Sequence, residues 1–227
     1  MFKPPLSLLL LLPGLAGAAQ LTELETRWLT AGLPALSYAR QELGLPLDIT
    51  VQPQAGPNDV PLALGFENGR CKLVLSMRGN PAAESVLDGV PDSQRAILIE
   101  AMTAHEIGHC WRYAHHQWHV LPAGFVEVGQ QHASSADLLE QARVQRATQR
   151  EEGYADLVAL SWTAHHHPAQ YAQVYRWMRQ LRQPGAGASH DTTAWLRLAG
   201  DRAVFSSSSP LFEQVSMLWS KGLVGSD

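Results

Sequence analysis

The sequence has no block of basic residues, and after residue 19 it has no long apolar run. Lysine and arginine together number 17 against 21 aspartates and glutamates, so the formal net charge is −4. A mildly acidic chain without a basic patch has little to attract a polyanion, so we expect no nucleic-acid partner. A membrane-spanning helix needs about 20 consecutive apolar residues. Because no later segment reaches that length, we expect no stable membrane insertion once the N-terminal segment is removed.

The apolar run at the N-terminus is itself too short to span a bilayer. A positively charged start precedes a leucine-rich run over residues 6–12, and Ala16 and Ala18 then supply a small-residue cleavage site. That order is typical of a secretory signal peptide. We therefore expect residues 1–19 to be a signal and residues 20–227 to be one folded domain of an exported protein, periplasmic or secreted.

Cysteine is scarce, since only Cys71 and Cys110 are present. Export permits a disulfide, and two buried thiols are the alternative that the composition leaves open. We expect the disulfide, because it would join the strand that begins at Cys71 to the helix that carries Cys110. It would close a loop of about 40 residues and contribute ~3–4 kcal/mol of stability.

The strand signals are few and lie in the first third of the chain. Residues 47–51 form one short apolar run, and residues 62–66 and 71–77 form two more on either side of Asn68-Gly69. Asn-Gly between apolar runs indicates a hairpin, because both residues tolerate positive φ. These runs predict one small antiparallel sheet, with residues 71–77 as its last strand.

Helical signals dominate the rest of the sequence. Apolar residues recur with helical spacing from Asp92 towards Tyr113, and two serines at 134 and 135 open a second long helical pattern that extends to His165. Shorter helical patterns follow after Pro168, after Asp191 and from Leu211. The predicted fold is therefore α+β, mostly helical, with one small sheet.

The first of these helices carries the motif H-E-x-x-H as His105-Glu106-Ile107-Gly108-His109. Residues four apart share one helix face, so the two imidazoles can reach one zinc ion at ~2.0–2.1 Å each. Glu106 lies on the adjacent sector, close enough to exchange protons with a water at the metal without binding the metal itself.

A catalytic zinc also needs a third protein ligand and an open position for water. Glu152 offers a carboxylate on the next predicted helix, and Asp156, four residues on, shares its face. One carboxylate can bind the metal while the other accepts the N–H of a ligand histidine. A solvated acidic pair is the alternative, but the neighbouring residues are largely apolar. Glu151 lies about 100° from Glu152 and does not share a face with Asp156.

His115 is the rival third ligand. It stands where the longer motif H-E-x-x-H-x-x-G-x-x-H places its third histidine. That motif needs a turn at glycine, and here the position holds Arg112. Without glycine the helix continues and His115 points away from the metal. We therefore expect Glu152 rather than His115 to complete the site.

The two motifs together resemble those of gluzincin metallopeptidases of the HtpX and CAAX-protease type, and in particular their small soluble, minigluzincin-like members. The resemblance covers two short motifs and their helices. It departs from those families at the later His-Pro element that they often carry, for which His190-Asp191 is taken as the nearest match. It implies a zincin-like domain over residues 20–227. It also implies these roles: His105, His109 and Glu152 as ligands of one zinc ion, Glu106 as general base, and Asp156 as hydrogen-bond partner of a ligand histidine.

The expected activity is zinc-dependent hydrolysis of peptide bonds, with Glu106 moving protons. Tyr154 and His190 are candidate donors to the oxyanion that forms on the scissile carbonyl. Strand 71–77 is expected to be an edge strand along which an extended peptide or protein substrate binds through backbone hydrogen bonds.

Two other classes of function are compatible with these motifs. The chain could be a non-catalytic binding or adaptor protein that retains the peptidase fold and holds zinc for structure. The intact Glu106 argues against this alternative, because a structural zinc site has no use for an unbound acid. An exported chaperone-like protein with an accidental motif is the third reading, and metal content separates it from the other two.

Overall fold

The computed structural model of the protein describes residues 20–125, 135–182, 188–205 and 208–224. The signal segment predicted at residues 1–19 lies outside the described residues. In the described part the regular elements are helix α1 (Glu23–Gln41), strands β1 (Leu47–Val51), β2 (Leu62–Glu67) and β3 (Arg70–Leu75), and helices α2 (Asp92–Ala114), α3 (Ala136–His166), α4 (Tyr171–Leu181), α5 (Thr193–Leu198) and α6 (Leu211–Leu223). The predicted α+β class, mostly helical with one small sheet, is confirmed.

The sheet is mixed, whereas the sequence predicted an antiparallel one. Strands β2 and β3 form the expected hairpin, and Asn68 and Gly69 at its turn have φ of 52° and 75°. Strand β1, however, pairs with β3 in parallel, with Leu47 opposite Cys71. The difference arises because a local turn specifies the hairpin, whereas β1 and β3 are separated in the sequence by β2 and no local signal specifies their pairing.

Strand β3 is the central strand of the sheet, since the strand order is β1-β3-β2. The expectation that strand 71–77 is an edge strand open to a peptide is therefore wrong. Its backbone groups already pair with β1 on one side and β2 on the other. Within the described residues the strand at the edge next to the cavity described below is β2.

Helices α2 and α3 cross at close range because a glycine lies at the crossing. A Cβ placed on Gly108 would stand 3.0 Å from Ala155 Cα and 3.1 Å from Val158 Cβ. Such separations are tighter than ordinary van der Waals contact, so a side chain at this position would push the two helices apart by a few tenths of an ångström. The crossing brings the two chemical motifs, one on each helix, into direct contact.

Cys71 and Cys110 form a disulfide, which confirms that prediction. Both residues are fully buried. The bridge joins the start of β3 to the residue that directly follows His109, so it fixes the sheet against the helix that carries the first motif.

The described helices do not include one that is both long enough and apolar enough to cross a membrane.

Candidate metal centre

Helix α2 carries the two histidines of the first motif side by side on the face that borders a cavity. The ring centroids of His105 and His109 are 4.7 Å apart, and their Nε2 atoms are 3.1 Å apart. The two Nε2 atoms converge on one small volume.

Helix α3 delivers Glu152 to the same volume. Its Oε1 lies 3.4 Å from His109 Nε2, and its Oε2 lies 3.5 Å from His105 Nε2. Among the described residues these three side chains are the one group of His, Cys, Asp or Glu whose ligand atoms converge closely enough to hold a metal ion. The structure thus brings together the three ligands that the sequence suggested.

The spacing of these atoms fits a zinc ion. Ligand atoms placed tetrahedrally at ~2.0–2.1 Å from one ion stand about 3.3 Å from each other. The three separations here are 3.1, 3.4 and 3.5 Å. Two imidazoles and one carboxylate are also a donor set that suits zinc and leaves a fourth position open.

Asp156 contacts the ring nitrogen of His105 that faces away from the three converging ligand atoms. Its Oδ1 accepts a hydrogen bond from His105 Nδ1 at 2.9 Å, which leaves His105 Nε2 free to act as a ligand. Thr192 Oγ1 donates to its other oxygen at 2.6 Å. Asp156 therefore occupies the place that the sequence suggested, as a buried orienting group rather than a ligand.

Arg182 is a residue of the site that sequence reasoning missed. It follows α4 directly, and its guanidinium donates to Asp156 Oδ2 and Oδ1 at 2.9 Å each and to Glu152 Oε2 at 3.0 Å. Nothing near Arg182 in the sequence forms a motif, and it stands 26 residues after Asp156. The one signal in the sequence is the four-residue spacing of Met178 and Arg182, which puts both residues on the same face of a helix.

The charges at the centre leave room for a divalent cation. Glu106, Glu152 and Asp156 supply three carboxylates, and Arg182 supplies one positive charge. With neutral histidines, as zinc ligation requires, the cluster would carry −2, which an ion of charge +2 would balance. Without an ion a proton on His105 offsets part of this charge: burial opposes that proton, but the hydrogen bond to Asp156 and the charge of Glu152 raise the pKa of His105.

The pKa values follow the same contacts. Burial opposes ionisation of Glu152, yet the hydrogen bond to His109 and the charges of His105, His109 and Arg182 lower its pKa to about 2. Burial likewise opposes ionisation of Asp156, but Arg182 and His105 hold its pKa well below the usual range. Both carboxylates are therefore anionic at neutral pH, as ligand and orienting group require.

Glu106 has a different environment from the other two acids. It lines the cavity but is not one of the three residues whose ligand atoms converge. Burial raises the pKa of Glu106 above its ordinary value, against the influence of His105 and His109. An acid beside the metal volume with a raised pKa is suited to accepting and returning a proton.

The cavity beside this cluster has a volume of about 430 Å³. Residues of β2, α2, α3 and α4 line it, and so does His190. That position is compatible with the suggested role of His190 as a donor to a reacting oxygen. A cavity of this size is within the range of ordinary ligand sites.

Tyr154 does not belong to the site, so its suggested role is wrong. The residue is fully buried, and its hydroxyl lies 3.4 Å from Ser216 Oγ. Tyr154 is two residues after Glu152, about 200° round the helix, and therefore faces the core on the other side of α3. Burial raises its pKa, and the ring packs beside the Arg112 guanidinium.

The rival acids and histidines are engaged elsewhere. His115 is exposed at the end of α2, where its Nδ1 lies 2.8 Å from the Trp111 carbonyl oxygen. Glu151 forms a buried ion pair with Arg112 at 2.6 Å and accepts the His119 backbone N–H. As expected, α2 continues past Arg112 instead of turning there.

No protein-family description, curated protein or solved structure matches this chain.

Proposed function

We propose that this protein is an exported zinc-dependent peptidase of gluzincin type. The observation that carries the proposal is that four side chains line one cavity but only three of them converge as possible ligands. His105, His109 and Glu152 converge on one ion-sized volume, and Glu106 lines the same cavity without belonging to that set. A purely structural zinc site would not need the fourth residue.

In the proposed reaction a water molecule attacks the carbonyl carbon of a peptide bond, and the carbon–nitrogen bond breaks. Glu106 accepts a proton from the attacking water and passes it to the leaving amine, so the carboxylate returns to its starting state. His190 donates a hydrogen bond to the oxygen that becomes negative. The zinc ion, when bound, supplies Lewis acidity to this step. Asp156 and Arg182 hold the ligands in place.

Strand β2 offers the edge along which an extended peptide would bind. Leu62, Leu64 and Phe66 of this strand line the cavity. An added peptide strand would bind there through backbone hydrogen bonds, which give affinity without selecting a particular sequence. This edge replaces strand 71–77, whose two sides are both paired.

Export is supported by the Cys71–Cys110 disulfide, since such bridges persist in oxidising compartments. It is also supported by the order of charge, apolar run and small residues in segment 1–19.

The test is the substitution Glu106→Gln. We expect zinc content equal to that of the wild type and peptide hydrolysis at least about 100-fold slower, because the amide cannot accept the proton. Metal analysis and cleavage of a casein-derived peptide mixture measure the two quantities on the same sample. Glu140→Gln, at an exposed position on α3, is the matched control and should leave both unchanged.

Unchanged hydrolysis in Glu106→Gln would remove the proposed mechanism. Zinc binding without hydrolysis in the wild type would instead favour the non-catalytic binding protein.

A further inference from the structure

The cavity continues away from the metal volume into an apolar recess between α2 and α4. On α2, Met102 stands about one turn before His105 and Glu106 on the same face. On α4, Met178 stands one turn before Arg182, with Leu181 beside it. Trp177 and Val86 also line the cavity. We call the five apolar side chains Val86, Met102, Trp177, Met178 and Leu181 the apolar recess.

The recess is a preformed feature of the packing. The indole Nε1 of Trp177 donates to the Val86 carbonyl oxygen at 3.2 Å, which fixes the ring and the segment opposite it. Trp177 and Met178 are 8% and 4% exposed, so they are walls and not surface side chains. An apolar cavity wall that adjoins a polar reaction centre is typical of a side-chain subsite.

Charged side chains would be disfavoured in the recess. The ionisable residues that line the cavity belong to the reaction centre or to buried pairs: Arg182 holds Glu152 and Asp156, and Glu151 holds Arg112. A charged substrate group in the recess would lose its water without gaining a partner. An apolar side chain would gain by leaving water.

Given the proposed function, we propose that the apolar recess receives a large apolar side chain of the peptide substrate, next to the bond that is cleaved. The reason for adjacency is the one-turn distance between Met102 and Glu106 on α2 and between Met178 and Arg182 on α4. The two methionines, which are unbranched and flexible, allow leucine, methionine and phenylalanine to fit. Selection is thus for apolar size rather than for one residue type.

The direction of the peptide decides on which side of the bond this residue stands. The Phe66 end of β2 lies beside the C-terminal half of α2, since Phe66 stacks on Tyr113 at 4.1 Å. The cleavage pattern will therefore also report which way the substrate runs along β2.

The experiment uses zinc-loaded wild-type protein and a mixture of synthetic peptides, with cleavage sites read by mass spectrometry. We expect leucine, methionine and phenylalanine at one position flanking the cut, with kcat/KM at least about tenfold above that for aspartate or lysine there.

Met178→Ala enlarges the recess, and we expect it to raise the phenylalanine-to-leucine ratio of kcat/KM by about tenfold. Met102→Ala, at a half-buried position, tests the same change if Met178→Ala does not fold. Met217→Ala, 59% exposed on α6, is the matched control.

A second arm measures binding without cleavage. Zinc-loaded Glu106→Gln is titrated with an N-acetylated, C-amidated hexapeptide that has leucine at its centre, and with its lysine counterpart. Tryptophan fluorescence should change more with the leucine peptide than with the lysine peptide, and Trp177→Phe should remove this difference, while Trp118, which lines the cavity beside His109, still reports binding near the metal centre.

The outcomes separate the two proposals. Cleavage with no apolar preference would overturn the role of the recess and leave the peptidase standing. No cleavage, together with leucine-selective binding that depends on Trp177, would support the recess and overturn the peptidase. Neither cleavage nor selective binding would overturn both.

Discussion

The electrostatics of the centre depend on a few individual side chains. Glu152 and Asp156 both lie against Arg182, whose own pKa is raised by their charges despite its burial. Without a metal ion, this guanidinium and the histidines, of which His105 has a raised pKa, are the positive charges that face three carboxylates. Arg182 therefore matters more to the metal-free protein than to the loaded one.

Arg182→Met tests that inference at the level of one residue. We expect the free energy of unfolding of the metal-free protein to fall by about 3–5 kcal/mol, because two buried carboxylates lose their partner. The zinc-loaded protein should lose less, because the ion then offsets the same charges. Thermal unfolding with EDTA and with zinc measures both states. Arg143→Met, with a side chain 62% exposed, is the control; equal destabilisation with and without zinc would contradict the prediction.

Sequence spacing predicted the residues of the centre that belong to motifs. His105 and His109 are four apart on one helix, and so are Glu152 and Asp156, so each pair shares a face whatever the rest of the fold does. Arg182 could not be found this way, because its place depends on how α4 packs. Tyr154 was wrongly included because its closeness to Glu152 in sequence concealed that it lies on the opposite side of the helix.

At the level of elements, the crossing of α2 and α3 is what assembles the centre. Gly108 lies between His105 and His109 in the sequence and packs against α3, the helix that carries Glu152. The absence of a side chain there lets the helix backbones approach closely. The distances between Glu152 and the two histidines therefore depend on Gly108, although Gly108 has no side chain that could bind a metal.

Gly108→Ala should separate the two helices slightly. We expect the free energy of unfolding to fall by about 1–3 kcal/mol, as in other overpacked cores. Zinc affinity should fall as well, because Glu152 moves away from the histidines. Urea unfolding and a chelator-competition titration measure the two effects. Gly65→Ala is the control, since a Cβ on Gly65 would stand 4.0 Å from its nearest neighbour, the Lys72 carbonyl oxygen. Unchanged zinc affinity in Gly108→Ala would contradict the account of the crossing.

The local signals predicted most of the elements, including the hairpin, but not how β1 pairs in the sheet. Ser135 caps α3 by accepting the Leu138 N–H, and Asn68-Gly69 forms the hairpin turn; each acts within a few residues. The parallel pairing of β1 with β3 has no such local signature. Only the structure shows this pairing. The same pairing makes β2, rather than β3, the edge strand proposed to bind the substrate.

At the scale of the whole molecule, a buried ion pair ties the first helix to the segment after the sheet. The Glu25 carboxylate is fully buried and accepts hydrogen bonds from Arg78 Nε at 2.7 Å and Nη2 at 2.8 Å. It also accepts the Thr22 N–H at 2.8 Å in the capping box at the start of α1. The Arg78 hydrogen bond is the main cause that lowers the pKa of Glu25 to about 2.

This pair gives the fold a defined acid response. A carboxyl whose pKa falls from 4.5 unfolded to about 2 folded stabilises the protein fully above pH 4.5. That contribution decreases as the pH falls and is lost near pH 2. We expect Glu25→Gln to be less stable than the wild type by about 1.5–3 kcal/mol at pH 7, with the difference closing between pH 4.5 and 2. Urea unfolding of metal-free protein across this range measures it, with exposed Asp92→Asn as the control. A difference that stays constant with pH would contradict the assignment.

The central claim is that His105, His109 and Glu152 hold one zinc ion. The most direct test is the zinc content and zinc affinity of the purified protein, measured by metal analysis and chelator competition. The account predicts one zinc per chain in the wild type and losses of affinity of at least about 100-fold in His109→Ala and Glu152→Ala, since even outer partners of a ligand cost 10–100-fold. His115→Ala should bind zinc as the wild type does. A wild type without zinc affinity, or a loss in His115→Ala with none in Glu152→Ala, would contradict it.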